Sequence, residues 1–522
     1  MSKSITSLNQ QKDSLFILVK SLSKSEKRQF NLYVSRLGGN VDAKFFSLFK
    51  FLDKMKAYNE KEIIKSNIVT KQQLSNLKAH LYKQILISLR LNPSHQNIRL
   101  QIREQLDFAT ILYQKGLYKQ SLKLLEKAKG LAIDNEEKNV AYEIVELEKV
   151  IETQYITRSI SSRADFLSVQ AKNLSQLNVT TSKLSNLSLQ LYSHLLQNGY
   201  VKNNEELHFI TTYFNNKLPK YDFSDFGFRE KLWLYKSHLW FSLLTQNFLQ
   251  SYKYASKWVD LFKSHKELIS LHPVFYLKGK NYLLEASFLV KNNQKFKEEL
   301  SYFENEIENK SIPFNSNTEI LIFLYFYTNK LHLHFLEATF SEGEYLVDII
   351  NTKIETYQSR LDNHHIVILY YKIACLYFGM NKNKECIFYL SKIINTKDLK
   401  VAEDLQCFAR VLNLIAHYEC GLDYDLERQF VDTYKFLLKM ENLQEVQKEF
   451  ITSIRDLSDV YPHEIKNEFK KIHARLSRYE DHQYEKRAFL YLDILSWLES
   501  KIKNKPIAMI IKEKANKSIK RN

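Results

Sequence analysis

LDFATILYQKGLYKQSLKLLEKAKGLA, residues 106–132, decides how the rest of the chain reads. Its small residues Ala109, Ser121 and Ala128 are spaced by 12 and 7, Gly116 sits between the first two, and Tyr118 follows two residues later. Two antiparallel helices that pack closely need small side chains where they cross, and a glycine lets the chain reverse between them. The stretch is therefore expected to be a helical hairpin. YYKIACLYFGMNKNKECIFYLSKII, residues 370–394, repeats the pattern: Ala374 and Cys386 keep the 12-residue spacing and Ile393 replaces the last small residue.

Looser versions lie between them. Residues 233–262 carry Ser251 and Ala255 early in a second helix, 282–307 form another pair, 330–357 place Gly343 at the packing position, and 405–440 turn around Gly421. Residues 134–220 are expected to hold two more pairs, starting with the stripe Ile144, Leu147, Ile151 and Tyr155. Pro219, Pro273, Pro313 and Pro462 all fall between predicted helices, where a missing amide and a fixed φ do no harm.

The small-residue positions and the turn glycine of 106–132 resemble the tetratricopeptide repeat. The family's early tryptophan and closing proline are absent, and the later pairs recur about every 43 to 48 residues instead of 34. The resemblance implies an all-α fold, an α-solenoid of antiparallel helical hairpins. It also implies a concave groove lined by the first helix of each pair, which would take a protein or peptide partner. On the best-matched pair it implies Arg103, Thr110, Tyr113 and Gln114 as the groove residues.

Composition agrees with helices. Only 10 glycines and 6 prolines in 522 residues are too few for a many-stranded sheet protein, and 44% apolar content argues against disorder. The chain divides into a basic N-terminal helical block (1–95), the repeat array (96–460), C-terminal capping helices (461–505) and a basic, frayed tail (506–522). Ser23 with Glu26, Asn59 with Glu62, and Thr70 with Gln73 mark helix starts in the first block. There the stripes Phe30, Val34, Leu37 and Leu74, Leu77, Leu81, Ile85, Leu89 predict amphipathic helices, the first ended by Gly38 and Gly39. Ala488, Tyr491, Leu495, Leu498 and Ile502 predict a last strong helix, a cap for the array rather than a short coiled coil.

Charge is unevenly placed. Residues 1–95 hold 17 Lys/Arg against 6 Asp/Glu and residues 463–522 hold 15 against 8, while the whole chain carries +17. Two readings stand: the basic ends meet an acidic partner, or the lysine excess follows the AT-rich codon preference that also favours Asn, Ile, Tyr and Phe. The first reading makes nucleic acid the alternative partner. Residues 60–66 and 71–90 then form two helices joined by a short turn that lacks glycine, with Lys71, Gln72, Lys78, Lys83 and Gln84 on the second helix's polar face.

No catalytic set emerges, and no cofactor is expected. Glycine-rich phosphate loops are absent, as is a serine bracketed by glycines. Glu205 and His208 give one Glu-x-x-His pair without the second copy that a dinuclear site needs; His332 and His334 sit on opposite sides of a helix, and His364–His365 follow Asp362 in a loop. Four single cysteines read as reduced thiols, with Cys386 a packing residue. Trp240 and Trp258 fall in apolar stripes and read as core. No signal peptide and no run of roughly 18 apolar residues occurs, so the expected location is the cytoplasm. The sequence thus points to a non-enzymatic scaffold or adaptor, with a nucleic-acid-binding regulator as the alternative.

Overall fold

A computed structural model describes residues 13–36, 44–92, 97–154, 162–220, 223–358, 360–396, 403–421, 423–437, 445–457, 464–485, 489 and 493–519. All the secondary structure among them is helical, and no strand occurs there. The chain forms two compact units, Met1–Ser168 and Val169–Asn522. The boundary read from sequence at 95/96 lies inside the first.

The first unit begins with α1 (Ser14–Ser21), α2 (Lys24–Arg36), α3 (Lys44–Lys54), α4 (Glu60–Lys65) and α5 (Lys71–Leu91). The capping box of α2 is formed: Glu26 N donates to Ser23 Oγ at 3.2 Å and Ser23 N to Glu26 Oε2 at 2.6 Å. Asn59 caps α4 through Lys61 N, whereas Thr70 precedes α5 without a side-chain cap bond. Leu37, Gly38, Gly39 and Pro93 lie outside the described residues. Helix α5 packs against α1, α2 and α3 around Phe30, Phe49, Leu52, Leu81 and Ile85. Between α4 and α5, Asn67 has φ +56°, a left-handed residue where the sequence offers no glycine.

Three helices follow: α6 (Ile98–Gln114), α7 (Tyr118–Asp134) and α8 (Lys138–Gln154). Ala109, Ser121 and Ala128 are fully buried, and Ser121 Oγ donates to the Ala109 carbonyl at 2.7 Å. The 12-residue spacing is therefore a crossing point at which a hydroxyl satisfies itself on the facing backbone. Gly116, at φ +73°, closes the turn, and Leu117 N donates to Leu112 O at 2.9 Å. This is a Schellman closure, in which a left-handed residue lets the next amide reach the carbonyl five residues back. The same closure recurs at Glu136, Gln246, Lys291, Lys310, Ala338, Asn381 and Asn504. None of these is glycine, so the turns carry no glycine signal in the sequence.

The second unit contains most of α9 (Arg163–Asn198), then α10 (Asn204–Lys217), α11 (Phe228–Leu244), α12 (Phe248–Ser264), α13 (Glu267–Leu271), α14 (Pro273–Leu289) and α15 (Asn293–Glu308). After these come α16 (Ser316–Glu337), α17 (Tyr345–Tyr357), α18 (Asn363–Gly379), α19 (Asn383–Ile394), α20 (Glu403–Glu419) and α21 (Asp423–Leu437). Residues 134–220 differ from expectation: they hold α8, the 36-residue α9 and α10 instead of two pairs. The stretch 163–198 has neither Gly nor Pro, so nothing in it breaks the helix. Elsewhere α11 packs on α12, α14 on α15, α18 on α19 and α20 on α21, while α14, α16, α18 and α20 also touch in succession. Glycine permits close approach at Gly279, where a Cβ would stand 2.9 Å from Trp258 Nε1, and at Gly343 and Gly379, which face His334 and Phe340.

The C-terminal part comprises α22 (Glu445–Leu457), α23 (Ile465–Leu476), α24 (Ile494–Lys503) and α25 (Ile507–Ile519). Leu495 and Leu498 are buried; Ala488 and Tyr491 lie outside the described residues. The segment after Pro506, read as a frayed tail, is helix α25, with Ile510 buried and contacts to α16. The chain also returns to the start of this unit: Tyr484 Oη donates to Asn204 Oδ1 at 2.6 Å, and Gln246 Nε2 donates to Tyr484 O at 3.1 Å. No helix among the described residues is long and apolar enough to cross a membrane.

Candidate functional site

On α6, Arg103 and Gln114 are exposed or half-exposed, with Thr110 on the same side of the helix. Arg103 Nη1 lies 3.0 Å from Glu143 Oε2 on α8, and Arg99 Nε lies 3.6 Å from Glu137. Two ion pairs thus tie α6 to the start of α8. Thr110 Oγ1 donates to its own helix at Leu106 O, and the Tyr113 ring leans on Tyr118, 6.0 Å away. Of the four, Arg103 and Gln114 present their polar groups outward. Sequence reasoning passed over Ile111, about half exposed beside Gln114, and Phe108, about half exposed further round the helix.

The residues named for nucleic acid separate. Lys71, Gln72 and Lys83 are exposed on α5. Lys78 turns inward, paired with Asp13, and donates to Tyr58 Oη at 2.9 Å. These two partners hold the ammonium charged against burial and raise its pKa above the ordinary lysine value. Gln84 accepts from Tyr33 Oη at 2.7 Å and ties α5 to α2. The periodicity shows the reason: Lys78 falls beside Leu74, Leu81 and Ile85, the edge of the buried stripe.

Ionisable groups are also buried in the second unit. Lys280, with no exposed surface, has Nζ 3.2 Å from Glu299 Oε2 and 3.5 Å from Glu306 Oε2, and Tyr276 Oη donates to Glu306 Oε1 at 2.5 Å. Burial lowers the lysine's pKa and raises that of Glu306; at Glu299 burial is outweighed by Lys280 and Lys263, and its pKa falls. The group joins α14 to α15 by charge inside a packed interior, where each charge depends on its partner to offset the cost of burial. Near it, the Lys236 ammonium sits over Trp233 at 3.8 Å, Phe275 at 4.8 Å and Trp258 at 5.5 Å, with no carboxylate partner among the described residues. Burial and Lys278 pull its pKa to about 7, while the three rings favour the charged form. Trp240 and Trp258 are buried, as core residues.

A cleft of about 430 Å³ opens beside the end of α9 and the start of α10, lined by His194, Asn198, Lys202, Glu205, Glu206 and Phe209. Its polar groups serve each other: Glu206 accepts from the Lys202 amide at 2.9 Å, and Asn198 meets His194 at 3.1 Å. Glu205 lines the cleft, but His208 does not. His332 stacks on Phe288 and lies 2.5 Å from Lys372 Nζ, whereas His334 meets Thr339 Oγ1 at 2.8 Å, so the two rings face different neighbours. His365 bonds to the Asp362 carboxylate at 2.7 Å. Among the described residues no three His, Cys, Asp or Glu side chains are grouped to hold a metal. Burial pushes the Cys375 thiol up to about 12 and Cys386 well above its ordinary value, leaving both protonated and weakly nucleophilic.

Gln246 was not visible as a special residue. It holds the left-handed turn between α11 and α12 at φ +55° and donates from Nε2 to both Val201 O and Tyr484 O, yet nothing in the local sequence marks it. Compared with protein-family models, curated proteins and solved structures, the chain matches none.

Proposed function

We propose that the chain is a non-enzymatic scaffold or adaptor, an array of tetratricopeptide-like hairpins that binds a protein or peptide partner in the cytoplasm. The observation that carries this reading is the repeated unit itself: helix, turn with a left-handed second residue closed by the same amide-to-carbonyl bond, helix. A stack of such units buries each hairpin against its neighbours and leaves the first helices as a continuous face. The succession α14, α16, α18, α20 supports that arrangement, and the Arg103–Glu143 bridge supports its counterpart between α6 and α8.

In the second unit the chain covers part of its own first-helix face, since α25 packs on α16. The partner face is therefore assigned to α6, where Arg103, Thr110, Tyr113 and Gln114 lie together and exposed Ile111 borders Gln114. The test is affinity capture from native cells with the wild-type chain and with the four positions changed together to alanine. A partner retained by the wild type and lost by the variant supports the reading. Recovery of the same proteins by both removes α6 as the binding face.

A further inference from the structure

Helix α5 has no Asp or Glu in its 21 residues. At 100° per residue, Lys71, Tyr82, Ser75, Leu86, Ala79, Gln72, Arg90, Lys83 and Asn76 fill one arc of about 140°, and each of them is exposed. The opposite arc holds Leu74, Leu81, Ile85 and the inward Lys78, packed on α1, α2 and α3. Five nearby acidic groups are already engaged: Asp13 with Lys78, Asp53 with Lys27, Glu26 with the α2 cap, Glu62 with Asn59, and Asp107 with Arg90 at the end of the face itself. Lys71, Lys83, Lys24, Arg28, Lys61 and Lys65 have no ion-pair partner among the described residues.

This face matches duplex DNA in charge, shape and donor chemistry. Residues 71–86 span about 22 Å at the helical rise, and a helix with side chains is about 10–12 Å across, against a B-form major groove about 12 Å wide. Gln72 and Asn76, one turn apart near the helix start, carry amides that both donate and accept, as base edges require. The deep, narrow major groove of A-form RNA does not admit a helix.

We propose that the exposed face of α5 is a docking surface for duplex DNA, with Lys71 and Lys83 on phosphates and Gln72 and Asn76 toward the groove floor. The site uses Lys71, Gln72, Asn76 and Lys83 and none of the four α6 residues assigned to the protein partner, so either assignment stands or falls without the other; the two helices meet at the Arg90–Asp107 pair.

The experiment is fluorescence anisotropy of the full chain with a labelled mixed-sequence duplex of about 20 base pairs, titrated between about 50 and 200 mM salt. The expected result is binding that weakens at least tenfold over that range, at roughly 0.9 log units per log salt for each phosphate contacted. Lys71→Glu with Lys83→Glu should weaken binding about tenfold or more and flatten the salt slope by about two. Lys71→Gln with Lys83→Gln should give a smaller loss of the same kind, and Lys466→Glu with Lys470→Glu, exposed on α23, should leave binding unchanged. Thermal unfolding of every variant checks that the fold is kept. Three outcomes overturn the proposal: no salt-dependent binding, an equal loss in the α23 control, or tighter binding to duplex RNA or to phosphatidylserine vesicles than to duplex DNA.

Discussion

Gly116 and Gly130 lie in one hairpin, and changing each to alanine is the same chemical step with opposite expected signs. A Cβ on either meets nothing within 4 Å, so neither substitution creates a clash and only backbone conformation counts. Gly116 sits at φ +73°. An L residue there costs about 1–2 kcal/mol, offset by about 0.4–1 kcal/mol of lost unfolded-state entropy, for a net destabilisation near 1 kcal/mol. Gly130 is exposed within α7, where alanine gains about 1 kcal/mol of helix propensity. The readout is hydrogen exchange by mass spectrometry on the full chain, following peptides from 98–134, because a chain of two compact units does not unfold as one step. Gly116→Ala should speed exchange of these amides about fivefold, and Gly130→Ala should slow it about fivefold. If both variants shift exchange in the same direction, the conformational account of the turn is wrong.

Gly279→Ala places a Cβ against the buried Trp258 indole, and the overpacking, about 1–3 kcal/mol, outweighs the helix-propensity gain; a lower Tm with a changed tryptophan emission reports it. Lys280→Met leaves Glu306 buried without its cation, while Glu299 keeps Lys263 and Lys295, and urea unfolding should show a loss of about 3 kcal/mol at neutral pH, shrinking in acid as Glu306 protonates. His238, stacked on Tyr254, is held at about 4 by burial and by Lys257 and Lys253. Because its folded pKa lies below its unfolded value, its stability contribution is full above about pH 6.5 and is lost as pH falls toward 4, by at most about 3 kcal/mol. His238→Phe keeps the stacked ring and should flatten that part of the acid slope in urea titrations; an unchanged slope assigns it elsewhere.

Local chemistry made some features legible in the sequence alone. Helices follow from the scarcity of Gly and Pro, and the crossing of α6 and α7 follows from Ala109, Ser121 and Ala128, since only small side chains let two backbones approach. The capping box of Ser23 and Glu26 is likewise a property of four consecutive residues. The basic, acid-free run of α5 could be read, and the stripe Leu74, Leu81 and Ile85 puts Lys78 at the buried edge and Lys83 across the helix; that Asp13 and Tyr58 wait there for Lys78 was decided by the packing of α5 on α1.

Tertiary structure decided the rest. The turns at Gln246, Lys291 and Asn381 use left-handed non-glycine residues that no local pattern marks, because the packing of the flanking helices offsets their conformational cost. The return of Tyr484 to Asn204 and Gln246 joins residues more than 230 positions apart. No periodicity encodes such a contact; it exists because the folded second unit brings a buried hydroxyl and a backbone carbonyl to donors and acceptors they must satisfy.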